Sequence, residues 1–97
     1  MGKPDSMGDG HTDEDLAMRR RRLKFRCWHR GMKETDILLG RFADAQVDSL
    51  DAAGVAAFEA LLETPDQDIL GWIIGGVPVP EEVRSPLLDR LLAYHAA

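Results

Sequence analysis

Few residues of this chain have the types and spacing that chemistry needs. Cys27 and His29 stand two apart, but a thiolate nucleophile requires a base within hydrogen-bond reach and a third group to orient that base, and this spacing guarantees neither. Cys27 reads better as a half-buried thiol. His11, His29 and His95 lack the close pairing of a zinc site, and no second cysteine joins them, so a metal centre is not expected. No glycine-rich phosphate loop follows a strand, so the chain carries no signal for a tightly held dinucleotide. Catalysis by this chain is not expected.

Two segments stand out instead. Arg30-Gly31-Met32-Lys33-Glu34 places a guanidinium, a bare stretch of backbone and a carboxylate within a few residues. Arginine offers five donors in a fixed fork, glycine lets another surface approach the main chain, and a carboxylate orients the arginine or accepts a partner's donors. Those properties suit a contact site, although a capped helix end with one surface ion pair, worth about 0 to 1 kcal/mol, accounts for the same residues. The second segment, Arg19 to Arg30, is a basic block with Trp28 within it. Clustered arginines neutralise phosphates and an aromatic ring stacks on bases, so nucleic acid or another anionic surface is the alternative partner.

The charge distribution bears on that choice. Residues 1–18 sum to -4, residues 19–34 to +7 and residues 35–97 to -8, within a net charge of -5. The block therefore meets an anionic partner, the protein's own acidic remainder, or water. An overall -8 on the largest part repels DNA and argues against nucleic acid.

The elements that must position these segments are helices. A chain of 97 residues is one domain, and at this size its core is thin. Residues 1–12 combine glycine, proline and small polar residues, too little apolar surface to offset the entropy of ordering them, which predicts a disordered tail before a domain at 13–97. Thr12 is placed to cap a first helix with Leu16, Leu23 and Cys27 on its inner stripe and its basic residues mostly in solvent, ending at a left-handed Gly31. Ile37, Leu38, Phe42 and Ala45 predict the buried face of a second helix over 32–45. Asp51 caps a third, with Val55, Phe58, Leu61 and Leu62 inside. Thr64, Pro65 and Gln67 form a capping box for a fourth, which carries Ile69, Leu70, Trp72, Ile73 and Ile74 and stops at Gly75-Gly76. After an extended Val-Pro-Val-Pro stretch and a short turn near Glu81 to Arg84, Ser85 caps a fifth with Pro86 first and Leu87, Leu88, Leu91 and Leu92 buried. No alternation of period two persists. The expected fold is all-α, a compact five-helix bundle. No apolar run approaches the roughly 18 residues of a membrane span, and no secretory signal is visible, so a reducing cytoplasm fits.

RGMKETDILL followed at this distance by LLETPDQDILGWI resembles the SdhE family of FAD assembly factors for succinate dehydrogenase, whose hallmark is RGxxE. Arg30, Gly31 and Glu34 match the hallmark, and Asp36, Leu38, Leu39, Phe42, the Asp48-Ser49-Leu50 turn, Leu61, Leu62, Glu63, Asp66, Asp68 and Trp72 extend the agreement across about residues 19–95. Thr35, where the family commonly has leucine, Gly71 and the dense arginine run depart from it. The resemblance implies a non-catalytic chaperone that binds the flavoprotein subunit of succinate dehydrogenase, sometimes of fumarate reductase, and promotes covalent attachment of FAD to a histidine of that subunit. It implies a monomer that holds no cofactor stably itself and a partner-binding set of Arg30, Gly31, Glu34, Asp36, Asp66, Asp68 and Trp72, in which Arg30 and Glu34 contact the partner near the flavin, Gly31 permits that approach, and the faces around Asp66, Asp68 and Trp72 extend or support the contact.

Overall fold

The computed structural model describes residues 13–96. The expected tail, 1–12, and the expected cap at Thr12 lie outside the described residues. Five helices follow in order: α1 Asp13–Trp28, α2 Lys33–Gln46, α3 Ala52–Leu61, α4 Asp66–Ile74 and α5 Pro86–Ala96. Single 3-10 turns stand at Val47–Ser49 and Glu81–Val83, and the described residues include no strand. The all-α five-helix bundle is therefore the fold.

Local chemistry sets most boundaries. The Gly54 N–H donates to Asp51 Oδ1 at 2.8 Å and the Leu88 N–H to Ser85 Oγ at 3.0 Å, so both expected caps satisfy an orphan donor of the first turn. Gly31 at φ +104° and Gly75 at φ +93° adopt the left-handed conformation that stops a helix. Leu23 and Cys27 of α1, Phe42 of α2, Val55 and Phe58 of α3, Ile69 and Trp72 of α4, and Leu88 and Leu91 of α5 then meet in one core. Phe42 packs edge-on to Phe58 at 5.6 Å and to Tyr94 at 5.5 Å, the arrangement ring quadrupoles prefer.

Three expectations change. The buried face of α2 is rotated: Thr35, Leu39, Gly40, Phe42 and Ala43 point inward, Ile37 and Leu38 are half-buried, and Ala45 is exposed. Thr35 fits the core because its hydroxyl donates to the Met32 carbonyl at 3.0 Å, and Gly40 because the Trp28 ring lies where a Cβ would be, 2.3 Å away. The capping box at Thr64 is absent. Pro65, with ψ 144°, is the residue before α4 and no side chain caps it, because the Thr64 N–H closes on Leu61 and its carbonyl is taken by Arg30. Cys27 is fully buried, and burial pushes its thiol up to about 12. An exposed thiol that could link two copies is thereby excluded.

Candidate functional site

The outward polar map of α1 has three strips, and the bend at its end is where they converge. On the strip facing α3 and α4, Arg19 forks onto Glu59 with contacts of 2.7 and 3.2 Å, Arg26 reaches Glu63 at 3.0 Å, and Arg30 pairs with Asp66. The acids come in turn from α3, from the α3–α4 connection and from the first residue of α4, so the ladder follows α1 and the bend after it across three successive segments. The Arg19 bond holds the Glu59 carboxyl below the usual range, and Glu59 raises Arg19 in return. On the strip facing α2, Lys24 meets Asp48 at 3.0 Å and the Trp28 indole N–H donates to Asp44 at 3.2 Å.

The sequence predicts basic residues mostly in solvent; the structure instead turns most of the block onto the chain itself. The chain's own acids take Arg19, Lys24, Arg26 and Arg30, Arg20 donates to the Leu50 carbonyl, and Arg21 and Arg22 are left exposed. Trp28 is committed to Gly40 and Asp44, which leaves no free ring for base stacking.

Arg30 ties the bend together. Its guanidinium donates from Nε to Asp66, from Nη1 to the Leu62 carbonyl at 2.7 Å and from Nη2 to the Thr64 carbonyl at 2.7 Å, while its backbone N–H donates to Asp36 Oδ1 at 2.8 Å. The side chain is only 13% exposed. One residue therefore fastens the end of α1 to the first turn of α2 and to the connection between α3 and α4. Asp36 and Asp66 each lie in the first turn of a helix, where unpaired N–H groups and the dipole favour an acid. Arg30 does not pair with Glu34.

With Arg30 turned inward, the bend shows other groups to solvent. Gly31 is exposed, and a Cβ built on it meets nothing within 4 Å, so glycine is required there by its backbone conformation and not by lack of room. Glu34 is exposed and forms no hydrogen bond or ion pair with a described residue. Asp68 is exposed, Asp36 and Asp66 are half-buried, and Trp72, 7% exposed, belongs to the core behind them. The structure brings Arg30, Asp36 and Asp66 into direct contact. Sequence reasoning missed Phe25 and His29, which stack in parallel at 4.1 Å on the open face of α1 beside the bend. Their spacing of four, next to the hallmark, was the available signal.

Fold and site together define a small all-helical protein whose most elaborated feature is a rigid, outward-facing bend, not a cleft lined by reacting groups. The family described as flavinator of succinate dehydrogenase matches residues 21–95, and the chain belongs to it. It is similar to the FAD assembly factor SdhE of Acetobacter pasteurianus, 45% identical over 90% of this chain and 80% of that protein. It is also similar to the mitochondrial succinate dehydrogenase assembly factor 2 of Dictyostelium discoideum, 37% identical over 84% of this chain and 57% of the relative. The counterpart in Schizosaccharomyces pombe is 41% identical over 76% and 53%. The chain thus spans little more than half the length of these two mitochondrial relatives. No helix among the described residues is long and apolar enough to cross a membrane.

Proposed function

We propose that this protein docks on the flavoprotein subunit of succinate dehydrogenase, with fumarate reductase as a further client, and promotes covalent attachment of FAD to that subunit. The supporting observation is the division of labour at the bend: Arg30 spends its donors inside the molecule, so that the Gly31 backbone and the Glu34 carboxylate are held outward in one geometry. A contact surface fixed in advance loses little entropy on binding. Docking favours the flavoprotein conformation in which its own histidine and flavin lie close, and orientation of that kind supplies several kcal/mol without any reacting group on the chaperone. Gly31, Glu34 and Asp68 touch the partner; Arg30, Asp36, Asp66 and Trp72 shape and support the surface they stand on. The likeness to a bacterial FAD assembly factor favours action in the cytoplasm, and action as a monomer is part of the same proposal.

Co-expression with a succinate dehydrogenase flavoprotein subunit, followed by measurement of the flavin that survives denaturation of the subunit, tests the reading. The parent chain raises flavin retention and Glu34→Ala abolishes the gain while folding normally. Equal retention with and without the parent chain refutes the function; full retention with the variant refutes the site.

A further inference from the structure

The third strip of α1 packs against no other element among the described residues. Met18, Arg22, Phe25 and His29 recur at four-and-three spacing on one face, with Arg21 on its edge. Phe25 is 65% exposed and Met18 49%, and unlike the exposed Ile74 near the end of α4 they lie on a face that also carries cations. Arg21 and Arg22 make no hydrogen bond or ion pair with a described residue, although the cations on either side of them are taken by the chain's acids. Arg22 acts on Glu59 only through space, so the cations that no contact takes and the exposed apolar area coincide.

Phe25 is also held ready. His29 stacks on it at 4.1 Å and 17°, and His29 Nδ1 lies 2.7 Å from the Phe25 carbonyl, which can only accept; Nδ1 therefore carries the proton and Nε2 faces away. A ring fixed in this way loses little rotamer freedom when another surface covers it, which is what aromatic anchors at interface centres require. The strip is continuous with the bend, because Phe25, Arg26 and His29 line one hollow with Arg30 and Asp66.

We propose that this face is a second part of the docking surface, seated in an acidic-rimmed apolar groove of the same flavoprotein subunit that receives the Gly31 bend; the inference rests on the function proposed above. Phe25 enters the groove, and Arg21 and Arg22 meet carboxylates on its rim. The free cations of an otherwise acidic chain select such a rim, steering encounter as well as fixing orientation.

The test measures affinity and association rate of the full chain for the purified flavoprotein subunit at low and moderate salt. Phe25→Ser weakens binding about tenfold or more, as loss of an anchor does. The double variant Arg21→Gln with Arg22→Gln slows association several-fold and flattens the salt dependence. Both variants keep the parent melting temperature, since none of the three side chains belongs to the core. If both bind as tightly as the parent while Glu34→Ala does not bind, the second surface is refuted and the docking function stands. Failure of the parent to bind overturns both. Loss of affinity for duplex DNA or phosphatidylglycerol vesicles, with subunit binding intact, assigns the strip to a different partner and refutes the inference.

Discussion

Two helices of this protein stop in nearly the same way, and only one of the stops is built into a site. Gly31 after α1 and Gly75 after α4 both have positive φ, and a Cβ on either would meet nothing within 4 Å. Beyond Gly75 the chain runs out through exposed residues 76–78, with Ile74 71% exposed beside it. The stop at Gly31 is surrounded by Arg30, Asp36, Asp66 and two carbonyls of the α3–α4 connection, all mutually satisfied. A left-handed glycine is thus only punctuation; what distinguishes the first bend is the polar framework that gives it a single shape.

The strongest way to break this contrast is to remove the framework. Arg30→Ala leaves Asp66 and two carbonyls without their donors, and should cost about 2 to 4 kcal/mol in urea unfolding together with all flavin-attachment activity. Arg84→Ala, which removes an exposed pair with Asp89 beyond the second stop, should cost less than about 1 kcal/mol. Equal costs would mean that the two stops are equally plain.

A second effect comes from the core beneath the first bend. Burial raises the Cys27 thiol to about 12 in the folded chain, whereas the unfolded thiol ionises near 8.5. Its contribution is therefore complete below about pH 8.5 and falls as pH rises towards 12, by roughly 1.4 kcal/mol per unit or about 2 kcal/mol at pH 10. Unfolding free energy measured from pH 8 to 10 should decline, and the decline should shrink in Cys27→Ala, whatever that variant's absolute stability. An unchanged slope would refute the assignment.

The glycines themselves sharpen the comparison. Gly31→Ala and Gly75→Ala each force an L residue into positive φ with no steric clash, so each should lose about 1 to 2 kcal/mol for the same conformational reason. Their functional consequences should diverge: only Gly31→Ala should lower flavin attachment by more than its loss of folded protein explains. Parallel losses of activity would make Gly31 merely structural.

Much of this was legible in the chain. Asp51, Ser85 with Pro86, Gly31 and Gly75 act through their nearest neighbours, so composition and spacing suffice to place them. The rotation of α2 was hidden because its inner face uses Thr35 and Gly40, residues that a hydrophobic count scores as neutral; their burial depends on a local hydroxyl bond and on Trp28 from another helix. Thr64 misled for a related reason, since its carbonyl serves a guanidinium 34 positions away. The RGxxE segment was found, but not the direction of Arg30. A side chain's destination across helices is decided by how those helices dock, which no local pattern carries.

The smallest effect tests whether the ladder beside α1 supports the first bend or merely decorates it. Arg19 lowers the Glu59 carboxyl through their hydrogen bond. A depressed folded value means that the pair's stabilisation is present above the ordinary glutamate range, near 4.3, and is lost as pH falls through the lower folded value. Both side chains remain partly in water, so Glu59→Gln should cost under about 1 kcal/mol at pH 7, and less again at high salt. Its diagnostic feature is the acid limb, where the variant and the parent should converge in stability as pH drops from 5 to 3. The rung lies at the far end of the ladder from Arg30, so flavin attachment should stay near the parent level in Glu59→Gln. A large loss would show that the bend's shape depends on the whole length of α1 and not on the contacts of Arg30 alone.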